Sequence, residues 1–244
     1  MMSDPFIHHP ELRDKITDPS LSFFRDFNAA DAFSQQPGLS WVVDMLRTFD
    51  QREACRKVTL AEKRNDHLWV FAYGSLMWDP AFDFRQVRRG KIEGFSRRFI
   101  LKDIYGARGT IDQPGAMAAL DTGPGCHGLI FQIDREKLET ETEILWRREM
   151  AFPCYIPTFV TVTSGGENFE ALTFVADHKA GSMHPDLTHD EQVQFLATGK
   201  GFLGTSKEYL ENIVSHFTAL GILDESCVTL LRDVEAFNRS SEAA

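Results

Sequence analysis

The stretch that most limits how this chain can fold is Leu68-Trp-Val-Phe-Ala-Tyr-Gly-Ser-Leu-Met-Trp78, an apolar run that ends at a glycine. Trp69, Val70 and Phe71 are strand formers with no polar residue between them, which predicts a strand buried on both faces. Gly74 lacks a Cβ at the point where the chain must turn, so the backbone there can approach a ligand closely. Tyr73, Gly74, Ser75 and Leu76 would then present consecutive peptide N–H groups, a cluster able to cradle an anionic group. The plainer reading, a buried strand ending in an ordinary turn, stands beside it.

A chain of 244 residues that is 43% hydrophobic can bury a full core. The formal charge of −10, with 26 Lys and Arg scattered along the sequence, lacks the basic stripe of a nucleic-acid binder, so no nucleic-acid partner is expected. No segment approaches the roughly 18 apolar residues of a membrane span, and the N-terminus has no signal-peptide pattern. These features predict a soluble cytoplasmic protein without a membrane partner. Cys55, Cys126, Cys154 and Cys227 are too few and too widely spaced for a disulfide scaffold or zinc knuckle, and read as reduced, packed thiols.

In chain order, residues 1 to about 35 mix Pro, Asp, Ser and Phe without a period and read as an irregular arm lying on the body. Trp41, Val42, Met45, Leu46 and Phe49 recur at three and four residues after Ser40, which predicts an amphipathic helix capped by that serine. Arg88 to Lys102 reads as a bent strand with Gly90 and Gly94 at its kinks. Tyr105 to Gly115 has the glycine and proline density of a loop with special backbone geometry, with Arg108 its only cation. Met117–Leu120 and Cys126–Ile133 read as two strands joined by the turn Asp121-Thr-Gly-Pro-Gly125. Asp134 is a candidate cap for a helix to about Met150, with Leu138, Thr142, Leu145 and Glu149 on one stripe. Cys154–Thr163 and Phe169–Ala176 flank Ser164-Gly-Gly-Glu167, a hairpin signal. Thr188-His-Asp-Glu191 and Thr205-Ser-Lys-Glu208 each satisfy the capping box, and a last helix starts near Asp224. Residues 1–66 are thus expected to form a helical extension on the body, 67–238 the domain, and 239–244 a tail.

Glu149 is the most informative single residue, because a carboxylate on an apolar stripe must be paired, protonated or used. Burial and the negative end of its helix both raise its pKa, which would suit a general base that loses its charge at mildly acid pH. An ion pair with Arg147 or Arg148 would act the other way, and the stripe alone does not choose. Ser75 lacks the Gly-x-Ser-x-Gly elbow of a hydrolase, since Met77 follows two residues later. Cys126 and His127 adjoin in a strand and point to opposite faces. His178, His184, Asp186, His189 and Asp190 match no ligand spacing, so no metal is expected.

Taken together, Val70-Phe-Ala-Tyr-Gly-Ser-Leu-Met-Trp78, Gly90-Lys-Ile-Glu-Gly94 with Arg97-Arg-Phe99, Arg108-Gly-Thr110 with Pro114-Gly115, and Leu145-Trp-Arg-Arg-Glu-Met150 with Tyr155 resemble the ChaC family of γ-glutamylcyclotransferases. Phe174-Val-Ala-Asp177, Gly204 with Glu208-Tyr-Leu210, and Leu220-Gly-Ile-Leu-Asp224 extend the likeness over about residues 68 to 235. The resemblance implies an α+β fold built on a small, closed or nearly closed mixed β-barrel with surrounding helices. It also implies cofactor-free cleavage of glutathione to 5-oxoproline and cysteinylglycine. It assigns Glu149 as the catalytic glutamate, and Tyr73, Gly74, Ser75, Leu76, Arg108 and Tyr155 as substrate-binding positions. The chemistry needs only a base, a bent γ-glutamyl chain and donors for anionic oxygen, with no metal or nucleophilic side chain.

The chain departs from the family at Lys102-Asp-Ile-Tyr-Gly-Ala107, at the stretch His178–Leu187 that lacks the expected tyrosine, and at Ser206 in place of asparagine. These departures leave open a cyclotransferase for another γ-glutamyl amine, or a module that binds a γ-glutamyl group without turnover.

Overall fold

A computed structural model of the chain describes residues 4–63 and 66–242. It has two compact units. One comprises the described residues up to Ser96 together with Leu120–Asp177; the other comprises Arg97–Ala119 with the described residues from His178 onward.

The main sheet is a closed barrel in the order β1-β3-β2-β4-β5. Its strands are β1 (Leu68–Ala72), β2 (Gln86–Asp103), β3 (Gly115–Ile133), β4 (Tyr155–Ser164) and β5 (Glu167–Ala176). The apolar run behaves as its composition predicts: Leu68, Val70, Phe71 and Ala72 are all buried. β1 pairs antiparallel with β3 from Leu68↔Ile133 to Ala72↔Leu129, and parallel with β5 through Trp69↔Ala171 and Val70↔Leu172. A strand with partners on both edges and apolar residues on both faces is the most constrained element of a sheet. The barrel is filled by Phe71, Tyr73, Ile92, Leu120, Ile130, Val162 and Ala171, so it is a core rather than a pore. β4 and β5 form the expected hairpin, with Gly165 and Gly166 both at positive φ (59° and 85°) in the turn.

Two expectations are corrected here. The Asp121–Gly125 stretch does not turn: β3 runs unbroken from Gly115 to Ile133. Its glycines instead permit close contact, since a Cβ at Gly123 would overlap Ser96 and one at Gly125 would crowd the Ile92 carbonyl oxygen. The helix expected from Ser40 is a 3₁₀ segment, Ser40–Met45, without a side-chain cap. The chain is extended at Leu46, and the α-helix α2 (Phe49–Thr59) begins only after Thr48, whose capping box with Gln51 gives the N–H groups of Thr48 and Gln51 side-chain oxygen acceptors. The apolar stripe is therefore split: Val42 is fully buried while Phe49 is 60% exposed.

The N-terminal arm carries the short helix α1 (Ala29–Ser34) between 3₁₀ turns and extended segments. After β3, Asp134 opens a 3₁₀ turn, Arg135–Lys137, that leads into α3 (Leu138–Glu149). The second unit holds a two-stranded ribbon of β6 (Lys200–Gly201) with β7 (Gly204–Thr205), and the helices α4 (His189–Thr198), α5 (Ser206–Ala219) and α6 (Glu225–Glu242). Both expected capping boxes, at Thr188 and Thr205, are formed. Buried Arg97 pairs with Asp224 at 2.8 Å and lies over the Phe217 ring.

Gly128 marks where β3 meets the end of β1: an added Cβ would overlap the Ala72 carbonyl oxygen and the Phe71 ring. Gly128→Ala is expected to destabilise the fold by about 3 kcal/mol, the upper end of the roughly 1–3 kcal/mol for overpacking, because backbone must move. Urea unfolding measures this, and an unchanged midpoint would contradict the assigned β1–β3 contact.

Candidate active site

β1 ends at Ala72 and delivers Tyr73 into the barrel core, where its hydroxyl donates to the Phe174 carbonyl oxygen at 2.8 Å. The side chain of Tyr73 is thus committed to the fold, and the residue offers the site its backbone. Gly74 caps a single 3₁₀ turn, Ser75–Met77, closed by Met77 N–H donating to Gly74 O. The first N–H groups of such a turn have no acceptor within it. Leu76 is buried and Ser75 only half-buried, so the hydroxyl of Ser75 is the side chain this loop presents.

Glu149 closes α3 on the stripe that the spacing predicts, with Thr142 and Leu145 fully buried below it. Its side chain is 15% exposed, and Oε1 lies 3.2 Å from Nε of Arg148. Both readings of the stripe therefore hold at once: the carboxylate is paired, yet burial still raises its pKa, with the Arg148 charge opposing but not cancelling the shift. Arg147 takes a different role, pairing with Glu143 and donating to the Arg25 carbonyl oxygen.

Arg148 links the two candidate elements. Nη2 donates to Ser75 Oγ at 2.9 Å, Nη1 donates to the Asp79 carbonyl oxygen, and Nε faces Glu149. A planar guanidinium can serve three acceptors in fixed directions, which an ammonium cannot. The entry to β4 also lies within electrostatic reach of Glu149. The buried thiol of Cys154 is pushed up to about 12 by burial and by the Glu149 charge, and Tyr155 follows it as the first residue of the strand.

Arg108 belongs to the second unit. Its guanidinium donates to the Thr205 carbonyl oxygen at 2.9 Å and lies over the Tyr209 ring, while its backbone N–H donates to buried Asp103. Asp103 also accepts from Tyr105 N–H at 2.8 Å, so one carboxylate organises the variant Lys102–Ala107 loop. Ser206 is buried, donates to the Arg108 carbonyl oxygen and accepts from Ala116 N–H, which gives the substituted position a local structural role. Among the described residues no three His, Cys, Asp or Glu side chains gather into a metal-binding group, and no helix is long and apolar enough to cross a membrane.

Sequence reasoning named Arg148 only as a rival partner for Glu149, and missed Ser22, Phe24, Arg25 and Glu141. Ser22 Oγ donates to Asp79 Oδ1 at 2.6 Å, Phe24 lies 4.0 Å under the Arg148 guanidinium, and Arg25 pairs with Glu141 and donates to the Ala81 carbonyl oxygen. Ala81 sits at φ 63°, a conformation that disfavours a side chain and is held by these neighbours. Glu141 had a legible signal, since it precedes Leu145 and Glu149 by four and eight residues on the same stripe. The arm residues had none, because their contacts have no period.

The fold thus combines a filled mixed barrel with a glycine-capped loop and a half-buried helix-end carboxylate, the last two joined by one arginine. The family model described as ChaC-like protein matches residues 68–237, and the chain belongs to that family. Among curated proteins it is 34% identical over 197 residues to the glutathione-specific gamma-glutamylcyclotransferase of Escherichia coli K12, covering 78% of this chain and 83% of that protein. It is 31% identical over 160 residues to glutathione-specific gamma-glutamylcyclotransferase 1 of Homo sapiens, covering 63% and 71%. The fold matches the crystal structure of a yeast γ-glutamyl cyclotransferase specific to glutathione with a TM-score of 0.65 at 21% identity, over 71% of this chain and 97% of that one.

A carboxyl whose pKa is higher folded than unfolded contributes stability at low pH and loses it as pH rises through the folded value. Glu149 is such a group. Glu149→Gln is therefore expected to melt at a higher temperature than the parent at pH 8, with the difference closing below the unfolded-state value of about 4.3. Calorimetry across pH reads this directly; a lower melting temperature at pH 8 would mean that the Arg148 pair outweighs burial.

Proposed function

We propose that this protein is a γ-glutamylcyclotransferase that cleaves glutathione to 5-oxoproline and cysteinylglycine, with Glu149 as general acid and base. The observation that carries the reading is a carboxylate with a raised pKa, tied through Arg148 to Ser75 of the Gly74 loop. The names of the relatives in bacteria and human support the substrate.

The chemistry follows from the substrate's own atoms. Glu149 takes a proton from the α-ammonium group, and the freed amine attacks the δ-carbonyl carbon to close a five-membered ring. Charge develops on the carbonyl oxygen, where N–H groups of the Gly74–Leu76 loop are suitable donors; the same donors suit the substrate's α-carboxylate. The C–N bond to the cysteinyl amine then breaks: protonated Glu149 returns its proton to that nitrogen, and the second proton shed by the ring nitrogen as the lactam forms leaves the released amine as an ammonium. No water is consumed.

Incubation of the pure protein with glutathione, followed by mass spectrometry, should yield 5-oxoproline and cysteinylglycine in equal amounts; binding without product over hours would favour a non-catalytic module. Glu149→Gln is expected to lower kcat by roughly 10²–10⁴-fold while remaining folded. Because the base form is lost as pH falls through a raised pKa, the acidic limb of kcat should lie above the roughly 4.3 of a free glutamate. A profile flat down to that value, with the protein folded, would remove Glu149 as the base. Comparing kcat/KM for glutathione with that for γ-glutamyl dipeptides tests what the altered Lys102–Ala107 loop selects.

A further inference from the structure

Phe24 lies outside the 68–237 stretch that the family model matches, yet it touches the residue that joins the base to the loop. Its ring sits against those of Phe23 and Phe27, with centroids 5.3 and 5.4 Å away, which fixes its orientation. Its backbone N–H donates to Ser22 Oγ at 3.1 Å, and Ser22 Oγ in turn donates to Asp79 Oδ1. Asp79 is also bonded by Arg148 through its carbonyl oxygen. Ser22, Phe24, Arg148 and Asp79 thus form a closed circuit of contacts around one guanidinium. All three Arg148 nitrogens are directed at named acceptors, and one flat face is covered by an aromatic ring, an arrangement stabilised by cation–π attraction where water is displaced.

We propose that Arg148 and Phe24 are a positioning pair: the ring of Phe24 holds the guanidinium in one plane, and the guanidinium fixes the Glu149 carboxylate relative to the Gly74–Leu76 loop. The N-terminal arm is then part of the active centre. The proposal rests on Glu149 acting as the base, and it adds that the base works only at a geometry set from outside the stretch that the family model matches. The charged and titratable groups that bear on Glu149 are Arg148 from its own helix and Cys154 from the entry to β4; Arg47 and Asp177 act on that thiol, and Asp79 faces Arg148 at 3.9 Å. Of these, only Arg148 reaches both the carboxylate and the loop.

The test compares Phe24→Ala, Phe24→Tyr, Arg148→Lys and Arg148→Met with the parent, by steady-state kinetics across pH. Misplacing a reacting group by about 1 Å can lower a rate by about 10²-fold. Phe24→Ala and Arg148→Lys are therefore expected to lose about 10- to 100-fold in kcat with little change in KM, although Arg148→Lys keeps the charge. Phe24→Tyr keeps the ring and should restore kcat to near the parent value. Arg148→Met removes the cation, so the acidic limb of kcat should also move to higher pH, by about one unit or more for a contact this close. Parent-like kcat in Phe24→Ala, or Phe24→Tyr no better than Phe24→Ala, overturns the pair. If Phe24→Ala does not fold, Phe24→Leu keeps the bulk without the π face and takes its place.

A readout independent of turnover separates this proposal from the proposed reaction. In protein labelled with ¹³Cδ-glutamate, the Glu149 signal, assigned by its loss in Glu149→Gln, should titrate at higher pH in Arg148→Met. It should move the same way, by less, in Phe24→Ala, because the ring touches the cation and not the carboxylate. If the parent makes no 5-oxoproline but these midpoints move, the reaction falls and the pair stands. Unmoved midpoints overturn the pair whatever the parent's activity.

Discussion

Burying a carboxylate is unfavourable for its charged form, and much of this structure is arranged around two such groups on one helix. Glu141 is buried and fully employed: it accepts both terminal nitrogens of Arg25 and the N–H of Asp83. Glu149, eight residues further on, faces the Arg148 guanidinium at 3.2 Å and has a raised pKa. The difference between the two environments separates a structural carboxylate, held by several donors, from a candidate base whose charged form burial disfavours.

The two carboxylates are connected through the N-terminal arm. Arg25, bound to Glu141, also holds the carbonyl of Ala81 in its left-handed conformation, and the N–H of Thr17 donates to the Trp78 carbonyl oxygen at 2.8 Å. Residues 78–83 thus run between the arm and α3, and the Gly74 loop enters directly from them. A single glycine-capped turn has little rigidity of its own; here the barrel strand fixes one end of it and the arm fixes the other. Rigid placement of donors matters because electrostatic stabilisation of a developing oxyanion is lost when the donors must reorganise.

The departures from the family pattern lie in the second unit, and two of them have local physical accounts. Asp103 accepts backbone N–H groups of Tyr105 and Arg108 in and after the altered Lys102–Ala107 segment, and Ser206 bridges Arg108 and Ala116 in place of a longer amide. A shorter side chain can keep both hydrogen bonds only where backbone comes close. Gly115 and Gly199 provide that closeness, since a Cβ at either would overlap backbone atoms.

What the linear chain determined by itself is set by short-range rules. The buried strand Leu68–Ala72, the Gly165-Gly166 hairpin, the two capping boxes and the stripe that turns Glu149 inward each follow from residue type and spacing over a few positions. The family order of motifs then implied the barrel. Tertiary structure decided what those rules leave degenerate. Gly123-Pro-Gly125 reads as a turn in isolation, yet β3 runs unbroken through it, with Gly123 so close to Ser96 that a side chain there would overlap it. Periodicity placed Glu149 inward but could not weigh its charged neighbour against its burial; only the packed structure fixes both the 3.2 Å pair and the desolvation that outweighs it. Ser22, Phe24 and Arg25 were invisible because their partners lie more than fifty positions away in sequence, and contacts between distant segments leave no period to read.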